Sequence, residues 1–192
     1  MIKVTWEWLG QGLALDLADT VTIEDGSEHD LIFSGAEFSR WAEVEASVTG
    51  LPLDLLVRAR TQLVDLRTAL RQVLGAISAG EAPPRSAIAR LNRASRDAPE
   101  WGELDVQTLE LRRRSSARRE VVLIGRYARS AMELIADQKA SVRRCGAPSC
   151  GMFYVATRAA QRWCSTQCGS RARVARHYSR VKSAPRSLSG HS

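Results

Sequence analysis

After Asp137 the chain carries no acidic side chain at all, although 55 residues remain. Eleven lysines and arginines fall in that stretch, so the first 137 residues hold 17 basic against 21 acidic groups while the whole is +7. This split excludes an evenly charged surface and points to a mildly acidic body joined to a basic module suited to a polyanion. Long apolar runs are also missing. Nothing approaches the ~18 residues a membrane span needs, so no membrane partner is expected. The opening MIKVTWEWLG meets Glu7, Asp16 and Asp19 too early for a secretory signal, so the expectation is cytoplasmic. No nucleophile–base set, glycine-rich phosphate loop or catalytic metal motif occurs, and no catalysis is expected. No internal repeat is present. Only four cysteines occur, and in a reducing compartment they are not expected to form structural disulfides.

With 192 residues and 44% hydrophobic content, there is material for a core in one domain or two small ones. LALDLADTVTI reads as a strand that turns at EDGSE and returns through DLIF. GAEFSRWAEVEAS reads as a helix stopping by Gly50. Leu56, Ala59, Leu63, Leu66, Leu70, Val73 and Ile77 step by three and four, a stripe along one helix from about Pro52 to Ala79 with Gly80 as its stop. Such a seam packs on its own domain or pairs with the same helix of a second copy, giving a homodimer; the first is the commoner use. A helix from Pro84 to Asp97 would turn Ile88 and Leu91 inward. WGELDVQTLELRRRSS reads as strand, with Leu104 and Val106, and later Leu109 and Leu111, spaced by two. A last body helix, about Ala117 to Lys139, would turn Val121, Ile124, Ala128, Ala131 or Met132, and Ile135 to one side. The tail KSAPRSLSGHS has a disordered composition, and His191 within it is read as idle.

Cys145, Cys150, Cys164 and Cys168 form C-x4-C-x13-C-x3-C. Two close pairs a hairpin's length apart suit one tetrahedral zinc ion, and four thiolates leave no open position, so the ion would be structural. Gly146, Pro148 and Gly151 allow a tight knuckle. Phe153 and Val155 would share one side of a strand, Arg162–Trp163 would pair back to it, and Cys168 would stand one turn into a helix. Trp163 is read as core of the module. Reactive thiols activated by neighbouring arginines are the competing reading. On that helix Ala172, Ala175 and Ser179 share the side of Cys168, and Arg173, Arg176 and Arg180 fall within about 60° of one another. Like charges at this spacing destabilise a helix slightly, which phosphates would relieve. Arg162 and Arg171 add to the patch, and Tyr178 is expected to pack on the finger. Three to six phosphate contacts predict a log–log salt slope of about −3 to −5.

RRCGAPSCGMFYVATRAAQRWCSTQCGSRARVARHYSR resembles the CGNR zinc finger over about residues 141 to 182, in its C-x4-C knuckle, its RWCS and the cysteine–glycine that opens a basic helix. LALDLADTV and the following DLI…FSRWAEV resemble the ABATE domain over residues 1 to about 140. The resemblance implies an α+β protein: a mixed helix and sheet N-terminal domain at 1–140, a small treble-clef-like finger at 141–182 with the four cysteines as zinc ligands, and a tail at 183–192. It also implies a bacterial stress-induced transcription regulator that binds double-stranded DNA in the nucleoid, with an N-terminal domain that senses an unknown small effector or dimerises. Ser170 stands where the motif has asparagine and Asp19 where asparagine is usual, which alters any base or ligand contact made there. Asp16 and Asp19, near Asp25, His29 and Asp30, are the candidate ligand site. An RNA-binding or ribosome-associated protein is the alternative function, followed by a redox-sensing zinc switch.

Overall fold

The computed structural model describes residues 8–24 and 26–183. The readings of the opening segment, of Asp25, of His191 and of the tail beyond 183 lie outside them. The architecture is α+β: helices form the body, and three separate antiparallel hairpins are attached to it.

LALDLA is the helix α1 (Leu13–Ala18) and not a strand. Alternating Leu13, Leu15 and Leu17 suggested a two-residue period, but the intervening Ala14 and Asp16, and Ala18 after them, are buried too. Burial all round suits a short core helix of good helix formers, and β-branched residues begin only at Thr20. The hairpin starts there, with β1 (Val21–Glu24) paired to β2 (Ser27–Asp30), so the return is SEHD and not DLIF. Helix α2 (Gly35–Thr49) begins in a capping box, Ser34 with Glu37, and ends at Gly50 in the left-handed conformation that glycine adopts without strain.

The long stripe occupies two helices, α3 (Leu53–Arg58) and α4 (Arg60–Ala79), separated by a local break at Ala59. Leu56, Ala59, Leu63, Leu66, Leu70 and Val73 are all buried in this chain's own core. The seam is therefore filled from within and is not available to a second copy. Helix α5 (Arg85–Arg96) buries Ala87 and Leu91 but leaves Ile88 exposed. Its inward face is rotated by about one residue from the expected one, because it wedges between α4 and α6 (Arg119–Gln138). On α6 the buried side chains are Leu123, Tyr127, Ala128 and Ala131, while Met132 faces solvent. Between α5 and α6 stand β3 (Trp101–Leu104) and β4 (Leu111–Arg114), a hairpin exposed along both strands. Its leucines do not enter the core.

Polar contacts also sit inside the body. Tyr127 donates to Glu45 across α2 and α6 at 2.6 Å, and burial pushes the Glu45 carboxyl up to about 7 despite that hydrogen bond. Arg67 of α4 holds Asp30 through two bonds of 2.7 and 2.6 Å.

The C-terminal module comprises β5 (Val142–Arg144), β6 (Phe153–Val155) and α7 (Thr166–Ser183). Here β6 pairs with β5, not with Arg162–Trp163. The strand pair encloses the first knuckle, because residues 145–152 form the loop between its arms. Val142 and Phe153 lie in the same apolar cluster as Leu17, Leu70 and Tyr127, with Val155 packed beside them. The core thus crosses from the body into the module.

Candidate metal centre

The first knuckle is the turn between β5 and β6, and it places Cys145 and Cys150. The second precedes α7, whose N-terminus is capped by Ser165: its hydroxyl accepts from the Cys168 amide at 3.2 Å. This cap places Cys164 just before the helix and Cys168 in its first turn. All four sulfurs lie within 4.8 Å of one another, with Cys150–Cys164 at 3.7 Å and Cys164–Cys168 at 3.4 Å. Zinc–sulfur bonds of about 2.3 Å at tetrahedral angles require sulfurs about 3.8 Å apart, so the set fits. A disulfide needs about 2.05 Å, and the cysteines are free thiols. Among the described residues they form the one cluster of three or more such ligand groups.

The surroundings favour a thiolate at Cys145 alone. Hydrogen bonds from Cys150 and Cys164, and from the backbone of Cys164 and Ala147, hold the Cys145 thiol far below its usual range. Bonding to Cys145 and Cys150 pushes the Cys164 thiol strongly up. Four sulfurs this close cannot all carry charge unless a cation sits among them. Arg171 donates to the Cys168 sulfur at 3.0 Å and reaches the Ser149 carbonyl. This arginine therefore faces the thiolates as well as solvent. Trp163 packs on the cysteine cluster beside Tyr154, and a Cβ at Gly169 would come within 3.1 Å of its ring. Tyr154 donates to the Gln161 carbonyl at 3.0 Å and closes the loop between the knuckles.

Asp19, singled out with Asp16 as a candidate ligand residue, joins the body to the module. One carboxylate oxygen accepts the buried Phe153 amide at 2.8 Å. Its other oxygen has no hydrogen-bond partner among the described residues. Burial pushes the Asp19 carboxyl well above its usual range. Nearby, the Ile23 amide donates to the Cys150 carbonyl at 2.9 Å, and Ile23 packs so closely on Gly151 that a Cβ there would overlap it. Glu28 is shared by Arg71 of the body, at 3.0 Å, and Arg144 of the module, at 3.2 Å, and both arginines lie over the Phe153 ring. Asp16 instead accepts the amides of Gly10 and Gln11, and Asp30 is held by Arg67. The body's acids are thus dispersed among separate structural contacts. The Asp19–Phe153 and Glu28–Arg144 contacts were not legible in the sequence, since each joins residues more than a hundred positions apart.

On α7, Ala172 is buried against the module and Ala175 half-buried, as the small-residue face requires, while Ser179 is exposed. Arg162, Ser170, Arg171, Arg173, Arg176 and Arg180 are all exposed. Arg173 donates to the Ser170 hydroxyl at 3.0 Å, and Arg176 to the Ala172 carbonyl at 3.3 Å. Tyr178 does not pack on the finger. It is 69% exposed and meets only the edge of His177, with ring centroids 6.1 Å apart. No helix among the described residues is long and apolar enough to cross a membrane.

Residues 11–138 match the ABATE family, described as "Putative stress-induced transcription regulator". Residues 141–181 match the CGNR zinc finger. No curated protein matches the chain. Neither family is an enzyme family. The finger match and the four clustered sulfurs together assign one structural zinc ion to Cys145, Cys150, Cys164 and Cys168. The first match spans two thirds of the sequence, and the chain accordingly belongs to the ABATE family, with a CGNR zinc finger following the ABATE domain.

Proposed function

We propose that this protein is a cytoplasmic, nucleoid-associated transcription regulator that binds double-stranded DNA through α7. The observation that carries this reading is the exposed arginine row of α7, mounted on the zinc knuckles in a segment without a single carboxylate. Zinc supplies shape and charge compensation at the four sulfurs, and the finger's own residues do the rest. Arg173 and Arg176 project from one face to phosphates, with Arg162 contributing from the loop before Cys164 and Arg180 from the next turn. Ser170, already bonded by Arg173, offers a base at most one hydroxyl where asparagine would offer a bidentate edge. Arg171 couples such contacts to the metal, because its guanidinium touches a ligand sulfur.

A sensing role for the body is supported by the cleft between body and finger, about 470 Å³, lined by Gln11, Asp19, Thr166, Gln167 and Arg171. The unpartnered Asp19 oxygen belongs to a side chain of this cleft, and its far wall is the first turn of α7. An effector there would touch the sensor and the DNA helix at once.

Fluorescence anisotropy on duplex DNA across a salt series tests the DNA reading. A slope of about −3 to −5 is expected, and R173E/R176E should flatten it by about 2. A wild-type slope flatter than about −2 refutes the arginine face. Tighter retention by structured RNA than by duplex DNA in direct competition would transfer the assignment to the RNA-binding alternative.

A further inference from the structure

The β3–β4 hairpin is the part of the fold that the proposed DNA and effector roles leave unused. In its register Leu104 faces Leu111, and Glu103 faces Arg112. Alternation therefore puts Leu104, Leu111 and Arg113 on one face, with the Arg114–Glu103 ion pair on the other. The tip is closed by its own hydrogen bonds, with Asp105 and Leu109 bonded backbone to backbone and the Asp105 carboxylate accepting two amides. This rigid tip holds outward the side chains a soluble surface would hide: Val106 is 91% exposed, Leu109 74%, Leu111 64% and Leu104 61%. Leu109 does so at φ 56°, a left-handed conformation that bulky residues avoid. A two-stranded hairpin alone in water is marginal, and it needs something against its apolar face.

At the hairpin's base lies a cleft of about 470 Å³, whose walls include Leu51, Leu55 and Val122 with Arg113 and Arg119. Neither arginine has an ion-pair partner among the described residues, and nor has Glu110 at the tip. One end of the arm thus presents apolar side chains and a carboxylate, while its base presents a cleft of mixed character, where Leu51, Leu55 and Val122 stand among four arginines and the single carboxylate, Glu100, is already held by Arg126 and Arg129. The two ends are complementary to each other, yet lie at opposite ends of the same arm.

We propose that two copies of this chain exchange hairpins about a two-fold axis, the tip of each entering the cleft at the base of the other. Such an arrangement is isologous and closed, so it stops at a dimer. Each of the four exposed side chains carries on the order of 100 Å² of apolar surface. Two arms therefore supply about 800 Å², and the walls of two clefts bring the total to about 1,000 Å², the small end of specific interfaces, where a reversible dimer is expected. This dimer replaces the α4 seam as the route to a second copy and does not depend on nucleic acid.

Sedimentation velocity on the full, zinc-loaded chain between about 1 and 200 µM tests it. A monomer–dimer equilibrium is expected, and L109D, which touches no core residue, should weaken it by at least about 100-fold. E110R and R119E should each weaken it by about tenfold, and the double variant should regain most of that loss, because opposite charges are again apposed across the interface. Circular dichroism and zinc content keep misfolding distinguishable from dissociation. A wild-type monomer across the whole range overturns the proposal, as does a dimer indifferent to L109D. Absence of recovery in the charge-swapped double variant also overturns it, since arms that met only face to face would not feel the exchange.

Discussion

Replacing Asp19 separates hydrogen bonding from charge at the contact between body and finger. Asp19→Ala removes the acceptor of the Phe153 amide and leaves that amide buried without a partner. An orphaned buried donor costs about 1–3 kcal/mol, and the strand that would loosen carries Phe153 into the shared core. Asp19→Asn keeps a carbonyl oxygen for the same amide and removes a carboxylate that burial already disfavours. The alanine variant should therefore be destabilised by about 2 kcal/mol, or roughly 4–8 °C in melting temperature for a chain of this size. The asparagine variant should match or exceed the wild type. Hydrogen exchange localises the effect: the Phe153 amide of the alanine variant should exchange about 30-fold faster, the equivalent of 2 kcal/mol, while amides of α4 remain protected. Equal stability of all three proteins would refute the bond's role. A loss in the asparagine variant as large as in alanine would show that charge, not the acceptor, joins the two parts.

Cys150→Ser should abolish stoichiometric zinc and lower duplex-DNA affinity by at least about tenfold, because metal binding contributes on the order of 10 kcal/mol to folding in comparable fingers. Metal analysis, and helix content retained by the body alone, check this. Glu45→Gln addresses pH. The folded carboxyl titrates near 7 against 4.5 in its ordinary state, so the folded protein keeps a proton that the unfolded chain releases. The resulting stabilisation is complete below about pH 4.5 and is lost as pH rises through 7, about 3 kcal/mol in all. Glutamine still accepts from Tyr127, so variant-minus-wild-type stability should grow by about that amount between pH 4.5 and 8 in denaturant titrations. A constant difference would show that burial does not perturb Glu45.

Period and spacing carry local information, and what was local was legible. The α4 stripe, the helix stops at Gly50 and Gly80, and the two thiol pairs all depend on residues within a turn or a knuckle of one another. The α1 segment misled because a short helix buried on every side has no amphipathic period to show, and its leucines happened to alternate. Ile88 misled because the inward face of a helix is set by which neighbours it meets, and small rotations leave the sequence pattern almost unchanged.

By itself, then, the sequence determined a zinc-binding, cationic module after a helical body, because ligand type, ligand spacing and charge sign are properties of the chain. Only the tertiary structure decided that the module is anchored in the body's core through Phe153 and Asp19, that Arg171 faces a sulfur, that the α4 seam is closed and that the leucines of β3 and β4 stand in solvent. Each of these depends on contacts between segments remote in sequence, where burial and hydrogen-bond satisfaction are settled jointly and no single stretch holds the information.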